Sequence, residues 1–142
     1  MNKCFLTRNN DQWSTPKNIY NYYLENGFID FNPLADIYED SLLKDFNCDL
    51  FCNPPYSNIE PFVDYMINHV KKVFKVVMLL PTRSGTKWFK KLWEFNHCHY
   101  FFFTQRLHFS DSKSAPFDCF LIEISLMFLN DIKFIDRCLM LC

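Results

Sequence analysis

Glycine is almost missing from this chain: Gly27 and Gly85 serve all 142 residues. The loop Asn32-Pro33-Leu34-Ala35-Asp36 therefore has no glycine to let backbone close tightly on a ligand. No apolar run is long enough to span a bilayer, and the start, Met1 to Arg8, has no signal-peptide core. A location in the cytoplasm and no membrane partner are expected. The seven cysteines are odd in number and contain no Cys-x-x-Cys pair. Cys48, Cys52, Cys98 and Cys119 fall in apolar segments, where a thiol behaves as a small hydrophobe, and a reducing compartment suits them. His97-Cys98-His99 would set two imidazoles on one strand face with no third ligand, so no metal is expected. There is no internal repeat and no low-complexity linker. The chain reads as one domain, 1–142, with a flexible arm over 1–12 and an uncertain extension over 125–142.

Aromatic residues are abundant instead, 19% of the chain with 17 Phe, which marks a globular protein. The net charge of −1 conceals a division. From Lys17 to Asp64 two basic residues stand against nine acidic ones, and from Lys71 to Lys113 nine basic ones stand against two acidic ones. A neutral protein with one basic half can still meet phosphates locally. A solvated helix face accounts equally well for Lys90 and Lys91.

The most informative stretch is Asp49-Leu50-Phe51-Cys52-Asn53-Pro54-Pro55-Tyr56-Ser57. A short apolar run without helical period, halted by two prolines, predicts a buried strand that opens into a rigid loop. Prolines have fixed φ and no N–H, so their carbonyls are left to face a ligand. The Asn53 amide oxygen and the Pro54 carbonyl, side by side, would make two acceptors for one amino group. Tyr56 adds a flat face for a planar heterocycle. Taken alone, the tetrapeptide could also be a stiff turn. Its predicted position favours the site, because ligands of open α/β sheets bind at the carboxyl ends of strands.

Along the chain, Thr15-Pro16 predicts a helix start, with Ile19, Tyr20, Tyr23 and Leu24 as its apolar face and Gly27 as its stop. Phe28 to Phe31 predicts a strand. Ser57 and Glu60 have capping-box spacing ahead of the stripe Ile59, Phe62, Val63, Met66, Ile67, Val70, which predicts a core-facing helix. Phe74 to Leu80 predicts a central parallel strand, and Trp88, Phe89, Leu92 and Trp93 another amphipathic helix. Strands are expected over Cys98 to Phe103 and Phe117 to Ile124. Residues 125–142 suggest a hairpin or short helix. Arg83 and Lys87, in and after the loop Pro81 to Thr86, are placed to meet a nucleic-acid backbone if the first loop meets a base; structural ion pairing is the alternative. Ser110 to Ser114, with Lys113, is a polar loop suited to the same contact.

The order Trp13-Ser14-Thr15-Pro16, Phe28-Ile29-Asp30-Phe31-Asn32-Pro33-Leu34-Ala35-Asp36, Asn53-Pro54-Pro55-Tyr56-Ser57, Leu80-Pro81 and Gln105-Arg106-Leu107-His108-Phe109 resembles the small phage-type DNA adenine-N6 methyltransferases. The resemblance covers roughly residues 12–124. It implies an α/β fold, a trimmed Rossmann-like methyltransferase fold with a mostly parallel central sheet flanked by helices. It also implies S-adenosylmethionine as cofactor and double-stranded DNA as partner. Asn53, Pro54, Pro55 and Tyr56 would be catalytic. Trp13, Thr15 and Pro16 would pack over the methionine end of the cofactor, with Asp30, Asn32, Pro33 and Asp36 as the other cofactor-binding positions. Arg83, Lys87, Arg106 and Lys113 would contact DNA, and a homodimer is one assembly compatible with so small a reader of duplex DNA. Two departures stand out. Asn32 replaces the usual Asp, so weak cofactor binding without DNA is expected, and Gln105 replaces the usual Gly.

The implied reaction is direct methyl transfer to adenine N6, on a base flipped out of the duplex. The same acceptor pair would also suit an RNA base or a protein glutamine. A catalytically weak or silent protein of this fold that binds DNA or protein is the alternative of another class. A purely structural phage component is a third, and the intact Asn53-Pro54-Pro55-Tyr56 speaks against it.

Overall fold

The computed structural model of the protein describes residues 15–31, 42–107 and 117–136. Within them lie three helices, α1 Lys17–Glu25, α2 Glu60–Val70 and α3 Lys87–Phe95. Six strands, β1 Ile29–Asp30, β2 Leu50–Cys52, β3 Val76–Pro81, β4 Cys98–Phe103, β5 Cys119–Ile124 and β6 Asp131–Ile135, form one sheet in the order β1-β2-β3-β5-β4-β6.

Strand periodicity builds the layers. Val76, Met78 and Leu80 enter one core with Phe62, Met66, Trp88 and Leu92, whereas Val77 and Leu79 enter a second with Ile19 and Tyr23. Successive side chains point to opposite faces. Helices α2 and α3 therefore cover one face and α1 the other. Every residue of β3 is buried, as a strand covered on both sides requires.

The sheet is mixed, which corrects the expectation of a mostly parallel one. The pairs β1/β2, β2/β3 and β4/β6 are parallel, but β5 lies antiparallel to both β3 and β4, so about half of the paired positions are antiparallel. β5 starts at the edge where β4 ends. Such a return needs no passage across the sheet, and apolar content records burial without recording strand direction.

The described part of the C-terminal segment is neither hairpin nor helix. The link from Ser125 to Asn130 carries the chain past the amino end of β4, and β6 then pairs with β4 in parallel. Asn130 fixes this link, because its Oδ1 accepts from Cys98 N at 3.1 Å while its Nδ2 donates to Trp93 O at 2.8 Å.

Helix ends follow local chemistry with two exceptions. α1 closes as expected at Gly27, whose φ is 92°, with Phe28 N bonded to Tyr23 O and Gly27 N to Leu24 O, a Schellman arrangement. Thr86 caps α3 by accepting from Phe89 N. Thr15, expected to cap α1, does not: Pro16 holds the N-cap position with no side-chain cap. The capping box over Ser57 and Glu60 is also absent, since Ile59 is already helical at the N-cap and Glu60 pairs with Lys91 at 2.8 Å. His69, at the inner end of α2, lies stacked between Tyr65 and Phe74 and bonds Cys48 O at 2.7 Å, tying the approach to β2 onto the helix. Among the described residues no helix is long and apolar enough to cross a membrane.

Among the described residues, Val73 stands out as strained. Val73 has φ of 67°, a region costly for a β-branched residue, while its side chain is 82% exposed and has little packing to lose. Val73→Gly should raise the unfolding free energy by about 0.5–1 kcal/mol, after allowing for the greater freedom of glycine in the unfolded chain. A rise in the urea midpoint at constant m-value is the expected reading; a fall would show that no strain is relieved.

Candidate active site

The parallel strands deliver their loops to one edge of the sheet. Asn53 follows β2, Thr82 and Arg83 follow β3, and Gln105 to Leu107 follow β4, while Phe117 and Asp118 lead into the reversed β5 at the same edge. Thr82 N donates to Asp118 O at 2.8 Å, which ties two of these segments together.

Asn53 is half-buried at the end of β2. Its Nδ2 donates to Thr15 Oγ1 at 3.0 Å, and its Oδ1 is shielded from solvent. Thr15 thus acts on the loop instead of on its own helix, and its hydroxyl anchors the amide.

Pro54, Pro55 and Tyr56 are buried. Asn58 N donates to Pro55 O at 3.1 Å and closes the loop as a turn. Tyr56 is held at three points. Its carbonyl accepts from Arg83 Nη1 at 3.0 Å, its hydroxyl donates to Leu79 O at 3.3 Å, and its ring meets Phe117 edge-on at 5.6 Å. Only 3% of Tyr56 is exposed, so its ring is not an open platform in this conformation. Beneath it, burial pushes the Cys119 thiol up to about 12, against a smaller lowering by its hydrogen bond with Tyr56.

Asp30 ends β1 beside this loop, since it pairs in register with Phe51. Burial raises the Tyr20 hydroxyl above its ordinary range, and the charge and hydrogen bond of Asp30 raise it further. The Cys52 thiol is raised by burial first and by Asp30 second. A half-buried carboxylate therefore stands next to the asparagine loop.

The structure brings together Thr15, Asp30, Asn53 and Tyr56, with buried Pro16 adjoining Thr15. Trp13, Asn32, Pro33, Asp36 and Lys113 lie outside the described residues. Arg83 is bound to Tyr56 O, Arg106 Nε lies 3.8 Å from Asp118 Oδ1, and Lys87 is exposed in the first turn of α3. Three participants escaped the sequence reading. Phe117 against Tyr56 and Tyr20 against Asp30 carry no motif, being aromatic residues among many. Leu107 belongs to the quoted run but is buried in the α1-side core, where it anchors the loop after β4.

No curated protein matches the chain. A family model described as DNA N-6-adenine-methyltransferase (Dam) matches residues 4–119, which takes in β1 to β4, the asparagine loop and the start of β5. The chain belongs to that DNA N-6-adenine-methyltransferase (Dam) family.

Proposed function

We propose that the chain methylates the N6 amino group of an adenine in double-stranded DNA, using S-adenosylmethionine, with Asn53 as the residue that grips the amino group. The observation that carries this reading is the Thr15–Asn53 hydrogen bond, which holds the amide at a strand end in a chain of a DNA adenine methyltransferase family. The residues present suit the cofactor. The half-buried carboxylate of Asp30 can accept from its polar hydrogens or balance its positive charge, and Pro16 offers buried apolar surface beside Thr15. When bound, S-adenosylmethionine supplies an electrophilic methyl group.

The chain's own contribution is positioning. An adenine amino group is a poor nucleophile because its lone pair is delocalised into the ring. Accepting both N–H groups, at Asn53 Oδ1 and Pro54 O, favours a pyramidal nitrogen with a directed lone pair. No side chain needs an altered pKa for this, and orientation of that kind is worth roughly 7–11 kcal/mol in favourable cases. The base must leave the stack, at a cost of a few kcal/mol. In this reading it lies against the Tyr56 ring where Phe117 now abuts, so Phe117 yields as the base enters.

A second reading, a protein of this fold that binds DNA without transferring methyl groups, is favoured by one observation, the burial of Tyr56 behind Phe117. Tritium transfer from labelled cofactor to duplex DNA, followed by digestion and identification of N6-methyladenine, separates the two. Labelled N6-methyladenine supports the first; DNA binding without transfer supports the second. Asn53→Ala should lower the transfer rate by about 100-fold or more with the fold unchanged. An undiminished rate in that variant removes the proposed grip.

Thr15→Val deprives the Asn53 amide of its acceptor, whereas Thr15→Ser retains one. The valine variant should lose about 10-fold in kcat with little change in KM for DNA, and the serine variant should stay near wild type. Equal rates in both variants would show that the hydroxyl does not orient the amide.

A further inference from the structure

We propose that β6 is a self-association edge, along which two copies pair antiparallel about a two-fold axis at Ile132, so that each Asp131 lies opposite the partner's Lys133.

The strand ends the sheet, and among the described residues no strand pairs with its outer side. An edge strand offers free N–H and C=O groups to another chain, and native proteins blunt such edges with charge, proline or a cover. Here, among the described residues, no strand covers the edge, and Ile132 and Phe134 give it exposed apolar surface. Ile132 and Phe134 pair in register with Tyr100 and Phe102, so they continue the core face under α2 and α3 beyond those helices. They are 46% and 73% exposed, and Trp93, which packs against Tyr100 beside Ile132, is exposed too. Large exposed apolar patches of this kind mark interaction surfaces.

The edge is also preformed. Thr104 N donates to Ile135 O at 2.9 Å at one end of β6, and at the other Asn130 is pinned to Cys98 and Trp93 while His97 Nδ1 bonds Phe128 O at 2.7 Å. Little ordering remains to be done on docking.

Charge identifies the occupant as a second copy. Residues directly opposite in an antiparallel pair share a face. With the axis at Ile132, Ile132 meets itself, Asp131 meets Lys133 and Lys133 meets Asp131. With the axis one residue on, Lys133 would face Lys133, so the charges disfavour that register. Lys133 alone would protect the edge, but two residues from Asp131 it becomes half of a self-complementary pair. The joined sheets run in opposite senses, which turns the two Asn53 loops toward opposite sides of the assembly.

Light scattering of the full chain after size exclusion tests this. Wild type should be a dimer. Asp131→Lys and Lys133→Asp should each be monomeric, because each sets like charges opposite one another. The double variant Asp131→Lys/Lys133→Asp should regain the dimer, and the two single variants, mixed, should form a heterodimer. Circular dichroism and urea unfolding establish that each variant is folded, which is expected because both side chains are exposed. A monomeric wild type overturns the proposal, as do single variants that stay dimeric or a double variant and mixture that remain monomeric.

Discussion

Burial of β3 on both faces is the constraint from which the rest of the arrangement follows. Val76 to Pro81 can be dry on two sides only if helices lie above and below, and the strand's alternating side chains divide the interior into the α1 core and the α2/α3 core. Once α1 is held against Val77 and Leu79 through Ile19 and Tyr23, the residues just before it have a fixed place over the carboxyl edge of the sheet. Thr15 reaches Asn53 for that reason. The hydrogen bond at the candidate site is thus a consequence of packing on the far side of the strand, with the helix acting as a rigid spacer.

The asparagine loop is stiff in two different ways. Pro54 and Pro55 restrict the backbone directly. Tyr56 then locks the loop to β3 from below through Leu79 and from the side through Arg83. An exposed arginine bonded to a carbonyl has geometric value beyond its charge, since its planar fork orders a turn that has few N–H groups of its own. In the proposed reading this stiffness serves Asn53, which has to hold a nucleophile in a narrow range of orientations. Phe117 packs edge-on against Tyr56, and in the proposed reading an entering base displaces it.

Much of this was legible in the sequence because it rests on burial. The stripe on α2, the uniform apolar run of β3 and the Gly27 stop all report where a side chain or backbone must go, and each was found where expected. What escaped depended on pairing. Strand direction leaves no trace in a buried run, so the reversal of β5 was hidden among strands that look alike in composition. Thr15 carries the same local capping signal as Thr86, yet Thr86 caps its helix and Thr15 does not, because Thr15 finds a partner 38 residues away. Capping is a competition, and a distant acceptor is invisible to a local pattern. Asn130 carries no motif in the sequence, yet it is the clamp that sets β6 in place.

The division of charge along the chain resolves in three dimensions into two different uses. Lys72 pairs with Asp45, and Lys91 bridges Glu60 and Asp64 between α2 and α3, so part of the basic half neutralises the acidic half within the molecule. These pairs are exposed and contribute little to stability. Their effect is subtraction, for they remove those lysines from any account of DNA binding. The basic groups named at the carboxyl edge then rank by their commitments. Arg83 is engaged with Tyr56 O and Arg106 lies near Asp118, while Lys87 stands exposed where α3 begins. In the proposed reading Lys87 makes its phosphate contact without first giving up a bond. Arg83, by contrast, couples any contact with DNA to the loop that carries Asn53, because moving its guanidinium releases the carbonyl of Tyr56.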